Sequence, residues 1–138
     1  MSYIKFDKAL MTNLQESIRK EFLRTSRSGA YASSTVVDCN TRKYHGLLVV
    51  PIPEIDDENH VLLSSLDATV IQHGAEFNLG LHFYQGGAVS PNGHKYIKEF
   101  NCDVIPTTIY RVGGVLLKKE LVFQAYTDRV MIRYTIAD

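Results

Sequence analysis

Tryptophan is absent from this sequence, and its two cysteines, Cys39 and Cys102, stand far apart with no CxxC or histidine spacing. Without tryptophan the chain lacks the broadest side chain on which an autonomous sugar-binding module stacks its ligand, which counts against that class. Two isolated cysteines argue against a disulfide framework or a thiolate metal site and read as free thiols of a reducing compartment. Charge of one sign is also lacking: 15 Lys and Arg offset 15 Asp and Glu, for a formal net charge of zero. No field therefore gathers a phosphate backbone or an anionic bilayer, and neither nucleic acid nor membrane is an expected partner. No apolar run approaches the roughly 18 residues of a membrane span. The amino end, Met1-Ser2-Tyr3-Ile4-Lys5-Phe6-Asp7-Lys8, has no charged-then-apolar leader pattern. The 138 residues, 45% hydrophobic, suffice for one cytoplasmic domain with a real core.

The elements follow from periodicity. Leu10, Met11, Leu14, Ile18 and Phe22 fall near helical spacing, which predicts an amphipathic helix within residues 7–24. The end of that run, Glu21 to Thr25, reads equally as a first strand. Beyond it the chain reads as strands: Tyr44 to Val50, stopped by Pro51 and Pro53, then Val61 to Leu66, Thr69 to Gln72 and Phe77 to Tyr84. Glu54 to Asn59 is an acidic loop, His73-Gly74 a turn, Gly86-Gly87 a break, and Pro91-Asn92-Gly93 a further turn. Thr107 to Val112 and Val115 to Phe123 flank Gly113-Gly114, the signal of a two-residue hairpin. Val115, Leu117, Leu121 and Phe123 alternate with Lys118, Glu120 and Gln124, with Lys119 alone breaking the apolar face. Val130, Ile132, Tyr134 and Ile136 alternate with Met131, Arg133 and Thr135. Period-two patterns with regular turns predict a mainly β chain, an antiparallel β-sandwich with a short N-terminal helix.

Two segments carry unusual chemistry. Asn40-Thr41-Arg42-Lys43-Tyr44-His45-Gly46 runs an amide, a hydroxyl, two cations, a phenol and an imidazole into the apolar Leu47-Leu48-Val49. Desolvated polar groups each need a partner, so this cluster either forms a structural network, with Asn40 and Thr41 capping a turn, or meets a polar ligand. On a strand, Arg42 and Tyr44 would share one face and Lys43 and His45 the other, with Gly46 marking a close approach. A guanidinium and a phenol suit sugar hydroxyls. Upstream, Thr25-Ser26-Arg27-Ser28-Gly29-Ala30-Tyr31-Ala32-Ser33-Ser34-Thr35 is rich in small and hydroxylated residues, with no GxxxxGK[ST] or GxGxxG to cradle phosphate. Asp56-Asp57-Glu58 and Asp67 show no apolar pocket of the kind that raises a carboxyl for general-acid work. His60, His73, His82 and His94 have no metal-ligand spacing.

Glu21-Phe22-Leu23, Gly29, Tyr31-Ala32-Ser33-Ser34-Thr35 and Asn40 to Val49 together resemble the signature of the N-terminal domain of bacterial and archaeal glycogen debranching enzymes. The resemblance runs from about Glu21 to the end. The chain departs from it where relatives carry Asn-Gly (here Ser26-Arg27), a paired glycine (Gly29-Ala30) and a glycine (Asp38). The resemblance implies a β-supersandwich longer than this chain, followed by a catalytic toroid of α-hairpins bearing the acid and base carboxylates. Residues 1–138 would then be the leading, non-catalytic part of the N-terminal domain of an enzyme that hydrolyses the α-1,6-linked branches of glycogen. Its expected partners are that toroid and an α-glucan, and no cofactor or metal is called for. The residues expected to meet sugar are Asn40, Thr41, Arg42, Tyr44 and His45, with His94 and Tyr96 on a rim. Self-association of the isolated chain is expected through an edge strand. The alternative is a stand-alone carbohydrate-binding or structural interaction domain. A mutarotase-type enzyme is disfavoured because no His and Glu pair suggests itself.

Overall fold

The computed structural model of the chain describes residues 4–137, so Met1, Ser2 and Tyr3 of the leader argument and the final Asp138 lie outside it. In chain order the elements are β1 (Lys5–Asp7), α1 (Lys8–Thr12), α2 (Leu14–Ser17), β2 (Glu21–Thr25), β3 (Tyr31–Thr35), β4 (Gly46–Pro51) and β5 (Asn59–Leu63). Two hairpins follow, β6 (Thr69–Gln72) with β7 (Ala75–Asn78) and β8 (Leu81–Phe83) with β9 (Val89–Asn92). A 3₁₀ helix (Gly93–Tyr96) then leads to β10 (Ile97–Asn101), β11 (Thr107–Val112), β12 (Val115–Phe123) and β13 (Val130–Ala137).

Two antiparallel sheets carry the fold: one of four strands, β2-β3-β4-β5, and one of five, β1-β10-β11-β12-β13. Phe22, Ala32 and Leu47 of the first join Ile97, Phe100, Tyr110, Val112 and Leu121 of the second in one buried cluster. The Phe22 and Phe100 rings, 6.0 Å apart, meet between the sheets. The sandwich expected from the alternating patterns is therefore present. The β11–β12 hairpin falls on the expected bounds, and Gly113 (φ 57°) and Gly114 (φ 84°) supply the left-handed pair that a type I′ turn needs.

A single helix over residues 7–24 does not form. Asp7 caps α1 by accepting from the Leu10 amide at 3.1 Å, but Asn13 leaves helical space (φ −82°, ψ 95°) and α2 ends at Ser17. Pairing Glu21–Thr25 in full register with β3 puts Phe22 in the core, and this tertiary gain overrides the helical period of the preceding residues. Phe77 to Tyr84 is likewise two strands, split at Leu79-Gly80, which bond to Ala68 and Gly93 instead. The turn expected at Pro91-Asn92-Gly93 is displaced: Pro91 and Asn92 close β9, and the 3₁₀ helix begins at Gly93. Glu120, expected on the wet face of β12, is only 7% exposed, because β13 runs alongside and the Arg133 guanidinium covers it at 3.0 Å.

Candidate functional site

The polar signature lies on a turn and not on a strand. β4 begins only at Gly46, and residues 41–45 form a bend and turn ahead of it. The expected sharing of faces by Arg42 with Tyr44 and by Lys43 with His45 is therefore corrected: the chain turns here because β3 and β4 are joined across this end of the sheet. Arg42 and His45 converge on one carboxylate. Glu21 Oε1 accepts from Arg42 Nε at 2.8 Å and lies 2.5 Å from His45 Nε2. His45 Nδ1 accepts the backbone amides of Thr41 (2.9 Å) and Arg42 (3.3 Å). An Nδ1 that accepts leaves the ring proton on Nε2, so His45 donates to Glu21 and its tautomer is fixed by the turn it closes. The Arg42 guanidinium, and after it the His45 bond, hold the Glu21 carboxyl below its ordinary range against the opposing cost of burial.

The register of the sheet makes this meeting possible. Glu21 pairs with Thr35 at the end of β3, while β4 sets Gly46 against Ser33, so the first residue of β2 and the residue before β4 share one end. Gly46 has the close approach expected of it: a β-carbon there would stand 2.9 Å from Val61 Cγ1 and 3.2 Å from the Leu63 carbonyl of β5. Asn40 ties the preceding segment down, accepting from Ser34 Oγ at 2.7 Å and donating to the Ser64 carbonyl at 2.9 Å. His45, and not the Asn40 or Thr41 side chain, caps the turn.

This network forms part of the wall of an open cleft of about 520 Å³, lined by Glu21, His45, Tyr31, Arg42, Lys43 and Tyr44 with Phe22 and Leu23. The Tyr31 hydroxyl donates to the Tyr44 carbonyl at 3.3 Å, and Lys43 Nζ lies 5.0 Å over the Tyr44 ring. Leu23 is 62% exposed on the cleft floor. Flat phenols beside cations, over an apolar floor, present donors and stacking surfaces together. Glu21, Tyr31 and Lys43 were not among the residues expected at the site. The opposite charges of Glu21 and Arg42 were the only sequence signal for their pairing.

His94 and Tyr96 stand on the 3₁₀ helix and do not line this cleft. Tyr96 packs edge-on to Phe77 with ring centroids 5.8 Å apart, and His94 Nδ1 is buried without a partner, burial and then the nearby Lys95 lowering its basicity. Two of the four carboxylates considered for acid–base work are held by histidines: Asp56 by His60 at 2.9 Å and Asp67 by His82 at 2.7 Å. Among the described residues no group of three His, Cys, Asp or Glu side chains is placed to hold a metal ion, and no helix is long and apolar enough to cross a membrane.

Comparison with known proteins adds one finding. The profile of the family described as glycogen debranching enzyme N terminal matches residues 20–138. Neither a curated protein nor a solved structure matches the chain. The matched span begins one residue before Glu21 and takes in the signature turn, the cleft, the four-stranded sheet and every strand of the five-stranded sheet except β1. The chain belongs to the glycogen debranching enzyme N-terminal family.

Proposed function

We propose that residues 1–138 form the leading part of the N-terminal β-sandwich domain of a cytoplasmic glycogen debranching enzyme. The domain packs against the catalytic toroid of the same polypeptide and offers the Tyr31–Arg42–Lys43–Tyr44 cleft to α-glucan. It performs no hydrolysis itself; the cleavage of α-1,6 branch points belongs to the toroid. One observation carries this reading: both ring nitrogens of His45, the one imidazole of the signature, are already engaged. His45 Nδ1 is taken by two backbone amides and its Nε2 by Glu21, which also holds Arg42. A base so occupied braces a turn and has no lone pair to offer a substrate water. The cleft beside it keeps its phenols and cations on an open surface, where they suit neutral sugar hydroxyls.

The test uses the purified chain in two assays. Incubated with a branched limit dextrin, it releases no glucose; released glucose overturns the non-catalytic reading. In a native gel containing glycogen it migrates more slowly than in a plain gel. Equal migration in both removes glucan contact from the proposal.

A further inference from the structure

On the other side of β3 from the cleft lies a second polar recess. Successive residues of a strand point to opposite faces, and Ser33 lines the cleft whereas Ser34 lines this recess. Its base is formed by Lys119, Asp38 and Tyr110, and Asp67 and Tyr134 also border it. Tyr110 and Lys119 are 3% and 8% exposed, whereas Tyr134 is 38% exposed, so the recess passes from interior to surface. The Asp67 carboxylate is seated directly over Gly80, where a β-carbon would fall 2.6 Å from its Cγ; only glycine leaves that space. The free space at the centre is about 20 Å³, room for one water or one hydroxyl group.

Burying an ion pair and a phenol here does little for stability, since apolar residues of similar volume commonly serve a core as well or better. Lys119 pairs with Asp38 at 2.5 Å, and one oxygen of Asp67 is hydrogen-bonded to His82 at 2.7 Å. Burial pushes the Tyr110 and Tyr134 hydroxyls upward, so both remain protonated donors. What remains is a set of donors and acceptors around a one-hydroxyl space, backed by an apolar wall at the buried Leu47 and Leu79.

We propose that this recess is a second glucan subsite, taking a single exocyclic hydroxymethyl group of a glucosyl unit between Asp67 and Tyr134. The proposal rests on the reading that the domain meets α-glucan, and it places that contact on the opposite face of β3 from the cleft. The Asp67 carboxylate accepts the sugar hydroxyl and the Tyr134 phenol donates to it, while the buried Lys119–Asp38 pair fixes the depth of the recess.

Calorimetric titration of the chain with maltotriose and with isomaltose tests it, using Tyr134→Phe and Asp67→Asn, which keep shape and remove one group each, beside an Arg42→Ala/Tyr44→Ala cleft variant. Unfolding midpoints of all variants are measured in parallel. The expected result is a loss of about tenfold in affinity for each recess variant, the worth of one hydrogen bond to a charged or polar partner. Affinity unchanged in both recess variants, with loss confined to the cleft variant, overturns the subsite and leaves the cleft reading standing. Absence of sugar binding by the unaltered chain overturns both. A recess variant that binds weakly only because it is partly unfolded is recognised by its lowered midpoint, and then the other variant decides.

Discussion

The ammonium of Lys119 lies 2.5 Å from Oδ2 of Asp38, joining the middle of β12 to the turn that follows β3, across the two sheets of the sandwich. Lys119 was the one residue that broke the apolar alternation of β12. Burial is the largest single influence and opposes its charge, but the Asp38 carboxylate with Tyr110 and Tyr134 together outweigh that cost and its pKa rises, so it stays protonated. Removing one member strands the other. Lys119→Met is expected to destabilise the chain by about 3 kcal/mol, the lower end for a broken buried pair because Asp38 retains some solvent contact. Adding Asp38→Asn to it should restore most of that loss. Urea unfolding of the two single variants and the double variant gives the coupling; additive losses would mean that the pair acts independently.

The network at Glu21 predicts a pH dependence with a definite sign. Its carboxyl is held below the ordinary value of 4.5, chiefly by Arg42. A depressed folded value means stability that is present above pH 4.5 and is lost as the pH falls through that lower value. The unfolding midpoint of the unaltered chain should therefore drop in acid more steeply than that of Glu21→Gln. Parallel midpoints for the two proteins between pH 7 and pH 3 would show that no such linkage exists.

Two non-glycine residues hold left-handed backbone where the family resemblance expects glycine, Arg27 at φ 68° and Asp38 at φ 58°. A side chain in that region costs on the order of 1–2 kcal/mol. Arg27 is exposed, so Arg27→Gly should stabilise by about 1 kcal/mol. Asp38→Gly, relieving the same strain, should destabilise instead because it abandons Lys119. Thermal or urea midpoints moving in the same direction for both would contradict this account.

β13 pairs only with β12 among the described residues, and Met131, Tyr134 and Ile136 along it are 48%, 38% and 72% exposed. An edge with apolar side chains is a template for another strand. Concentration-dependent sedimentation of the isolated chain is expected, and Ile136→Lys should reduce it. A sedimentation profile independent of concentration would remove the edge from consideration.

Local chemistry made much of the fold legible. The β11–β12 hairpin was readable to the residue because Gly113-Gly114 and the flanking alternation encode turn and strands within one short window. The strand at Glu21 competed with a helix because its deciding contacts, Ser34 on β3 and Phe100 on β10, lie far along the sequence. At the site the residue types were legible and their geometry was not. Arg42 and His45 looked like opposite faces of a strand, whereas a turn brings both to Glu21. That turn is set by the registers of β2, β3 and β4, which no local period reports. Lys119 as an exception on β12 was visible, but its partner Asp38 was marked only by standing where the resemblance expects glycine.

The division of the core between the two sheets has a consequence for synthesis. The four-stranded sheet is complete at Leu63, but the residues that cover Phe22 and Leu47, among them Phe100, Tyr110 and Leu121, are translated afterwards. At about 5–20 residues per second, the ribosome leaves that greasy surface uncovered for several seconds. Nascent chains paused between β5 and β10 would be the ones most dependent on a holding chaperone, and codon choice across residues 64–96 becomes a lever on yield that leaves the finished protein unchanged.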